Sequence, residues 1–203
     1  VSKGFKRYFN SKYPDKIYRY FTNGIDKEIL NYNFNDGNNN DSKNTLVCAG
    51  NIGQGQGLEL IIPDLSNKIT KDWKIIIIGD GGTSNLLKKE VSKINRNNVS
   101  FLPPMPRKIL LEYYKNAACL FLHLNNFPAF KKVLPSKILE YGATGKPIIA
   151  GVDGYAKEFI YNELDNVLVF KPGDAESALD ALNSISLVQL DRKRFCEKYK
   201  REN

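Results

Sequence analysis

The chain predicts an α/β fold built on a doubly wound parallel sheet of six strands. Three observations carry this. Six brief runs, at 46–49, 74–78, 99–102, 119–122, 148–151 and 167–170, are rich in β-branched residues and apolar throughout rather than alternating. That pattern suits strands covered on both faces. Between them lie helical patterns at 58–69, 84–95, 107–118, 136–144, 155–162 and 175–184. Strict strand–helix alternation over 46–190 implies crossover connections and a parallel sheet. Such sheets bind ligands beyond the carboxyl ends of their strands, so the loops that open at Gly50, Gly79, Pro103, His123 and Gly151 are the ones to watch.

Residues 1–26 fall outside this unit. They hold a helical stretch, an apolar stretch at 17–21 and the sequence Thr22-Asn23-Gly24-Ile25-Asp26, in which Asn-Gly signals a turn. Residues 27–45 read as a linker. Within it, 33–44 is rich in Asn, Asp and Gly and reads as a mobile surface loop. The loop after the first strand, Ala49-Gly50-Asn51-Ile52-Gly53-Gln54-Gly55-Gln56-Gly57, lets backbone approach a ligand and leads to the free amides of a helix start. It lacks the third spacing of a dinucleotide fingerprint, and the alternative is a tight strand–helix turn. Gly79-Asp80-Gly81-Gly82 after the second strand reads equally as a ligand loop or a sharp turn.

The most telling local chemistry is at Leu134-Pro135-Ser136-Lys137. Proline suits the first position of a helix, where its missing N–H would be unpaired anyway. The amides of Ser136 and Lys137 then stay free at the positive end of the helix dipole. With a hydroxyl and an ammonium added, this is an anion site. Glu140 lies three residues on, on the same helix face, where its carboxylate could accept both hydroxyls of a ribose. The alternative is an ordinary helix start with a Lys137–Glu140 ion pair. His123 sits at a strand end, where it could face a ligand or simply pack. Residues 191–203 read as a charged helix, truncated at its end.

Composition narrows the classes. At 203 residues and 42% hydrophobic the chain can bury one ordinary core. No run approaches the length of a membrane span, and no signal peptide is visible. Three cysteines without a CxxC pair give neither a disulfide framework nor a zinc signature. They suit a reducing compartment, so a cytoplasmic protein is expected. The single histidine argues against histidine-based metal sites and Ser-His-Asp chemistry. The formal charge of +8 favours an anionic partner. The lysines are scattered and form no basic stripe, so nucleic acid is not expected.

Four stretches resemble the C-terminal, donor-binding domain of glycosyltransferase family 4, the retaining enzymes of GT-B fold. They are residues 22–26, 47–58, 75–82 followed by 99–118, and 134–150, the last being the most specific. The similarity is greatest to the branch that makes capsule, O-antigen and other bacterial surface polysaccharides. It implies a Rossmann-like C-terminal half of a GT-B fold, with residues 1–26 as the end of an N-terminal acceptor domain. It implies a nucleotide-diphosphate sugar as donor, no cofactor and no metal. A lipid-linked or glycan acceptor would be held by the N-terminal domain; the +8 charge of this chain also permits contact with an acidic membrane surface at the inner face of the cell membrane.

By the same resemblance Gly50, Asn51, Gln56, Gly57, Ser136 and Lys137 line the donor diphosphate, Glu140 holds the ribose, and Phe101, Pro103 and Met105 flank the base. Gly79, Asp80, Gly81, Leu134 and Pro135 complete the donor loops. No residue is singled out as catalytic. The family's usual arginine and lysine in the first glycine loop are Asn51 and Gln56 here, and the first glutamate of its glutamate pair is Lys132. Lys132 and Lys137 are therefore expected to supply the missing charge. These residues are expected to bind nucleotide but to transfer little sugar by themselves. Half of a GT-B-type sugar-nucleotide epimerase, which needs paired carboxylates and a histidine, and a non-catalytic nucleotide-binding module are the alternatives.

Overall fold

A computed structural model of the chain describes residues 2–34 and 44–201. The six strands are β1 (Thr45–Ala49), β2 (Lys74–Ile78), β3 (Val99–Leu102), β4 (Cys119–His123), β5 (Ile148–Gly151) and β6 (Val167–Phe170). All pair in parallel, in the order β3-β2-β1-β4-β5-β6. The expected doubly wound sheet is present, with the order of a Rossmann-like fold.

Nine helices surround the sheet among the described residues: α1 (Lys6–Lys12), α2 (Lys27–Leu30), α3 (Ile62–Lys68), α4 (Ser84–Ser92), α5 (Arg107–Asn116), α6 (Ser136–Ala143), α7 (Tyr155–Glu163), α8 (Ala175–Ser184) and α9 (Lys193–Tyr199). Their apolar faces sort them into two layers. Leu65 of α3, Leu87 of α4 and Ala178 of α8 pack on one face of the sheet, with Ile75, Ile77 and Phe121. Leu111 of α5, Leu139 of α6 and Ile160 of α7 pack on the other, with Val47, Leu120 and Ala150. Both faces are covered, which is why the strand runs show no alternation.

The layers also create the site. The chain leaves β1 for α3 on one face and leaves β4 for α6 on the other. Adjacent strands whose connections part in opposite directions open a crevice at their carboxyl ends.

The single helix expected over 58–69 is divided. A 3-10 turn spans Leu58–Leu60, and α3 starts anew at Ile62 with Pro63 in its first turn. A proline lacks the N–H that a helix interior needs, but is tolerated at a helix start. The stretch 27–45 is more than a linker. Ile29 of α2 and Phe34 are buried in the core, and β1 begins at Thr45. Most of the loop expected at 33–44 lies outside the described residues. The apolar stretch at 17–21 forms no strand, and Ile17 is 95% exposed. No helix among the described residues is long and apolar enough to cross a membrane.

Candidate functional site

Two adjoining cavities, of about 210 and 290 Å³, lie at the carboxyl ends of β1, β2 and β4. Gly50, Asn51 and Lys137 line both. The first continues over Cys48, Gln56, His123, Pro135 and Ser136. The second continues over Gly79, Asp80, Pro104, Met105 and Leu110. A larger cavity of about 640 Å³ lies beside the amino end of β6, among Asp165, Arg192 and Lys198. It is at the wrong end of the strands for a switch-point ligand, and Glu163 and Asp191 already hold its Lys198 and Lys193.

The two glycine loops are fitted to each other. The amide of Gly50 donates to the Ile78 carbonyl (2.9 Å), and that of Ile52 to the Asp80 carbonyl (2.9 Å). Gly79 has φ of 137°, and a Cβ there would lie 1.9 Å from the Gly50 oxygen. Only glycine fits that contact and that conformation. The Asp80 carboxyl lies below the usual carboxylate range, held there by the Ser84 hydroxyl first and the Gly81 amide second. From α6, the buried Tyr141 hydroxyl accepts the Ala49 amide (2.9 Å) and fixes the end of β1 beneath the cavities.

The start of α6 meets the expectation in outline. Pro135 stands one position earlier than expected, as the N-cap in extended conformation, and Ser136 is the first helical residue. No side chain caps this helix start. The amides of Ser136 and Lys137 have no intrahelical acceptor, and both residues line the first cavity, whereas the Ile138 amide donates to the Pro135 carbonyl (3.1 Å). The Lys137 ammonium donates to Glu140 Oε2 (2.7 Å) and to the Tyr114 hydroxyl (3.1 Å), and lies over the Tyr114 ring. The ion pair weighed as the alternative reading is therefore formed, in the same place as the open amides.

Other expected positions divide. Met105 lines the second cavity, but its companion is Pro104 rather than Pro103. Phe101 packs into the α3–α4 layer, with Lys88 over its ring, because alternate residues of a strand face opposite sides. Leu134 turns away to a separate small cavity with Phe21 and Leu139. Gln56 folds back on its own loop, its side-chain oxygen accepting the Gly53 amide (3.4 Å). Gly57, with φ of 57°, closes that loop against Asn125, and Gly81 closes on Asn51. Glu140 lines neither cavity and stands behind Lys137.

Lys132 stands apart from both cavities. It ends a 3-10 turn, Phe130–Lys132, and its ammonium lies 4.8 Å from the centroid of the Tyr8 ring of α1. Lys137 is the one cation lining the two cavities among the described residues.

Two residues acquire roles that the sequence reading did not give them. Buried His123 presents Nδ1 to the Gln56 carbonyl and accepts the Gly173 amide on Nε2 (2.8 Å). Each nitrogen has one role, so the ring is neutral with its proton on Nδ1. Burial holds its pKa below the ordinary 6.5. It ties the first glycine loop to the turn before α8, at the wall of the first cavity. Arg107, the first residue of α5, reaches Glu140 Oε1 (3.6 Å) and Asp26 Oδ2 (3.0 Å), and Asp26 in turn holds Arg201 (2.9 Å). Asp26 follows Ile25, which forms an isolated parallel bridge with Lys200. Among the described residues no three His, Cys, Asp or Glu side chains converge to hold a metal.

The family model for glycosyl transferases group 1 matches residues 31–202. The chain belongs to that family. WcaI of Escherichia coli, whose name assigns it to colanic acid biosynthesis as a glycosyl transferase, is 28% identical over 117 residues, covering 58% of this chain and 28% of WcaI. The fold matches WaaB, a lipopolysaccharide outer core galactosyltransferase, with a TM-score of 0.66 and 18% identity over 98% of this chain and 56% of WaaB. It matches HepE of Anabaena, solved with UDP-glucose, with a TM-score of 0.59 and 18% identity over 70% of this chain and 39% of HepE. The chain thus spans about half of WaaB's length and less than a third of WcaI's.

Proposed function

We propose that this chain is the nucleotide-sugar-binding half of a retaining glycosyltransferase acting in bacterial surface-polysaccharide synthesis, whether of capsule, O-antigen or exopolysaccharide. The observation that carries this is the start of α6. Its open amides and the Lys137 ammonium meet the glycine loop of β1 in the β1–β4 crevice. A diphosphate seated there would meet N–H donors, a helix dipole and one full positive charge. These same groups would stabilise the negative charge that develops on a departing nucleoside diphosphate. The second cavity, walled by Pro104, Met105 and Leu110, offers an apolar slot for a base. HepE, whose structure was solved with UDP-glucose, and the colanic acid biosynthesis in the name of WcaI support the same reading.

On this reading the chain binds donor without transferring it. Orienting an acceptor against the donor supplies about 7–11 kcal/mol of barrier reduction, and the acceptor is held elsewhere in the family. The epimerase alternative loses its histidine, since both nitrogens of His123 are engaged. The reading of a non-catalytic module keeps one supporting observation, the pairing of Lys137 with Glu140.

Calorimetric titration with UDP, GDP, ADP and dTDP tests the proposal. At least one should bind, and Lys137→Ala should weaken it about tenfold or more, the worth of one charge-assisted contact. No heat from any of the four at millimolar concentration would sink it.

A further inference from the structure

Lys137, the cation of the anion site, is already occupied. Its ammonium is 2.7 Å from Glu140 Oε2, so an incoming anion must compete with a carboxylate for it. Whether the competition can be won depends on where Glu140 goes when Lys137 turns away. A carboxylate left without a partner in a site only 16% exposed would carry a desolvation cost, and the pair would stay closed. The other carboxylate oxygen faces Arg107 at 3.6 Å, just beyond hydrogen-bond length. Less than an ångström of movement brings that contact to the roughly 2.7–2.9 Å of a charge-assisted bond. Arg107 is also held in place, because its other terminal nitrogen is tied to Asp26 at 3.0 Å. Its buried Nε has no partner, so the guanidinium keeps donor capacity in reserve.

We propose that Arg107 is a positioning residue of the anion site, which receives Glu140 when a bound phosphate takes Lys137. This rests on Lys137 being the anion-binding cation. The guanidinium does not touch the ligand. It sets how readily Lys137 is released, by giving Glu140 a second partner already in reach. The effect of Arg107 must therefore pass through Glu140.

That dependence makes it testable with the whole chain and two probes, inorganic pyrophosphate and UDP. Pyrophosphate has no ribose, so it reads the Lys137 exchange alone. Arg107→Gln should weaken pyrophosphate by about fivefold, as expected for a partly exposed ion pair. Glu140→Gln should tighten it, by freeing Lys137. In the Glu140→Gln background, Arg107→Gln should change nothing further. An equal loss in both backgrounds would mean that Arg107 acts on the anion directly or through general stability, and would overturn the proposal, as would no loss in either. Arg107→Lys covers the case in which Arg107→Gln does not fold. It keeps the charge but offers one nitrogen for two carboxylates, so it should lose affinity only where Glu140 is present. If neither probe binds the unaltered chain, the reading of the site itself falls and the proposal with it. If both bind and the two backgrounds respond alike, only the proposal falls.

Discussion

Lys137 and Gly79 mark opposite demands on single residues. Lys137 is judged by what it can exchange, Gly79 by what it excludes. A methyl at position 79 would collide with the Gly50 carbonyl at 1.9 Å while the backbone stayed at φ of 137°. The two glycine loops would have to part, and with them the wall that the cavities share. Gly79→Ala is therefore expected to destabilise the fold by more than about 2 kcal/mol, read as a fall in the chemical denaturation midpoint. A wild-type midpoint would show that the loops separate freely.

Legibility at this scale follows sequence distance. The α6 start could be read because proline, serine and lysine act within one helical turn. Arg107 could not, because its partners Asp26 and Glu140 lie 81 and 33 residues away and meet it only in the folded chain. The place of Lys132 was hidden for the same reason, its ring partner Tyr8 being far along the chain.

Elements were legible where burial was uniform. The strands were recognisable because a sheet covered on both faces asks for apolar residues at every position. The break before α3 had a visible signal in Pro63, outweighed in the reading by apolar residues at helical spacing around it. Between elements, His123 is the fastening that no local pattern disclosed. It joins the β1 loop to the turn before α8. Its pKa is depressed in the fold, so the folded state takes up a proton less readily than the unfolded chain. Above the ordinary value of 6.5 both states are neutral and the fastening is fully present. As pH falls below that value the unfolded chain gains a proton first, and stability is lost down to the folded pKa. As His123 is the only histidine, urea midpoints at about pH 7.5 and about pH 5.5 should differ, and the difference should shrink in His123→Gln. An equal pH dependence in both proteins would assign it to the carboxylates.

The whole molecule carries a formal charge of +8, yet only one cation lines the cavities among the described residues. Most of the charge therefore acts at a distance, drawing anions in rather than gripping them. Its contribution should fade as the Debye length shortens from about 10 Å at 0.1 M salt to about 3 Å at 1 M. UDP affinity should fall over that range in Lys137→Ala as well as in the unaltered chain. A salt dependence abolished by Lys137→Ala would place all the electrostatics in one contact.

The switch-point crevice was predictable as soon as strands and helices alternated, since the topology fixes where adjacent connections diverge. What alternation could not disclose is that the described residues hold several concave surfaces, a larger one at the other end of the sheet among them. An amide-resolved NMR titration with UDP decides between them. The largest shifts are expected at Gly50, Asn51, Ser136 and Lys137. Shifts confined to the surface around Arg192–Lys198, with the α6 start unmoved, would contradict this expectation.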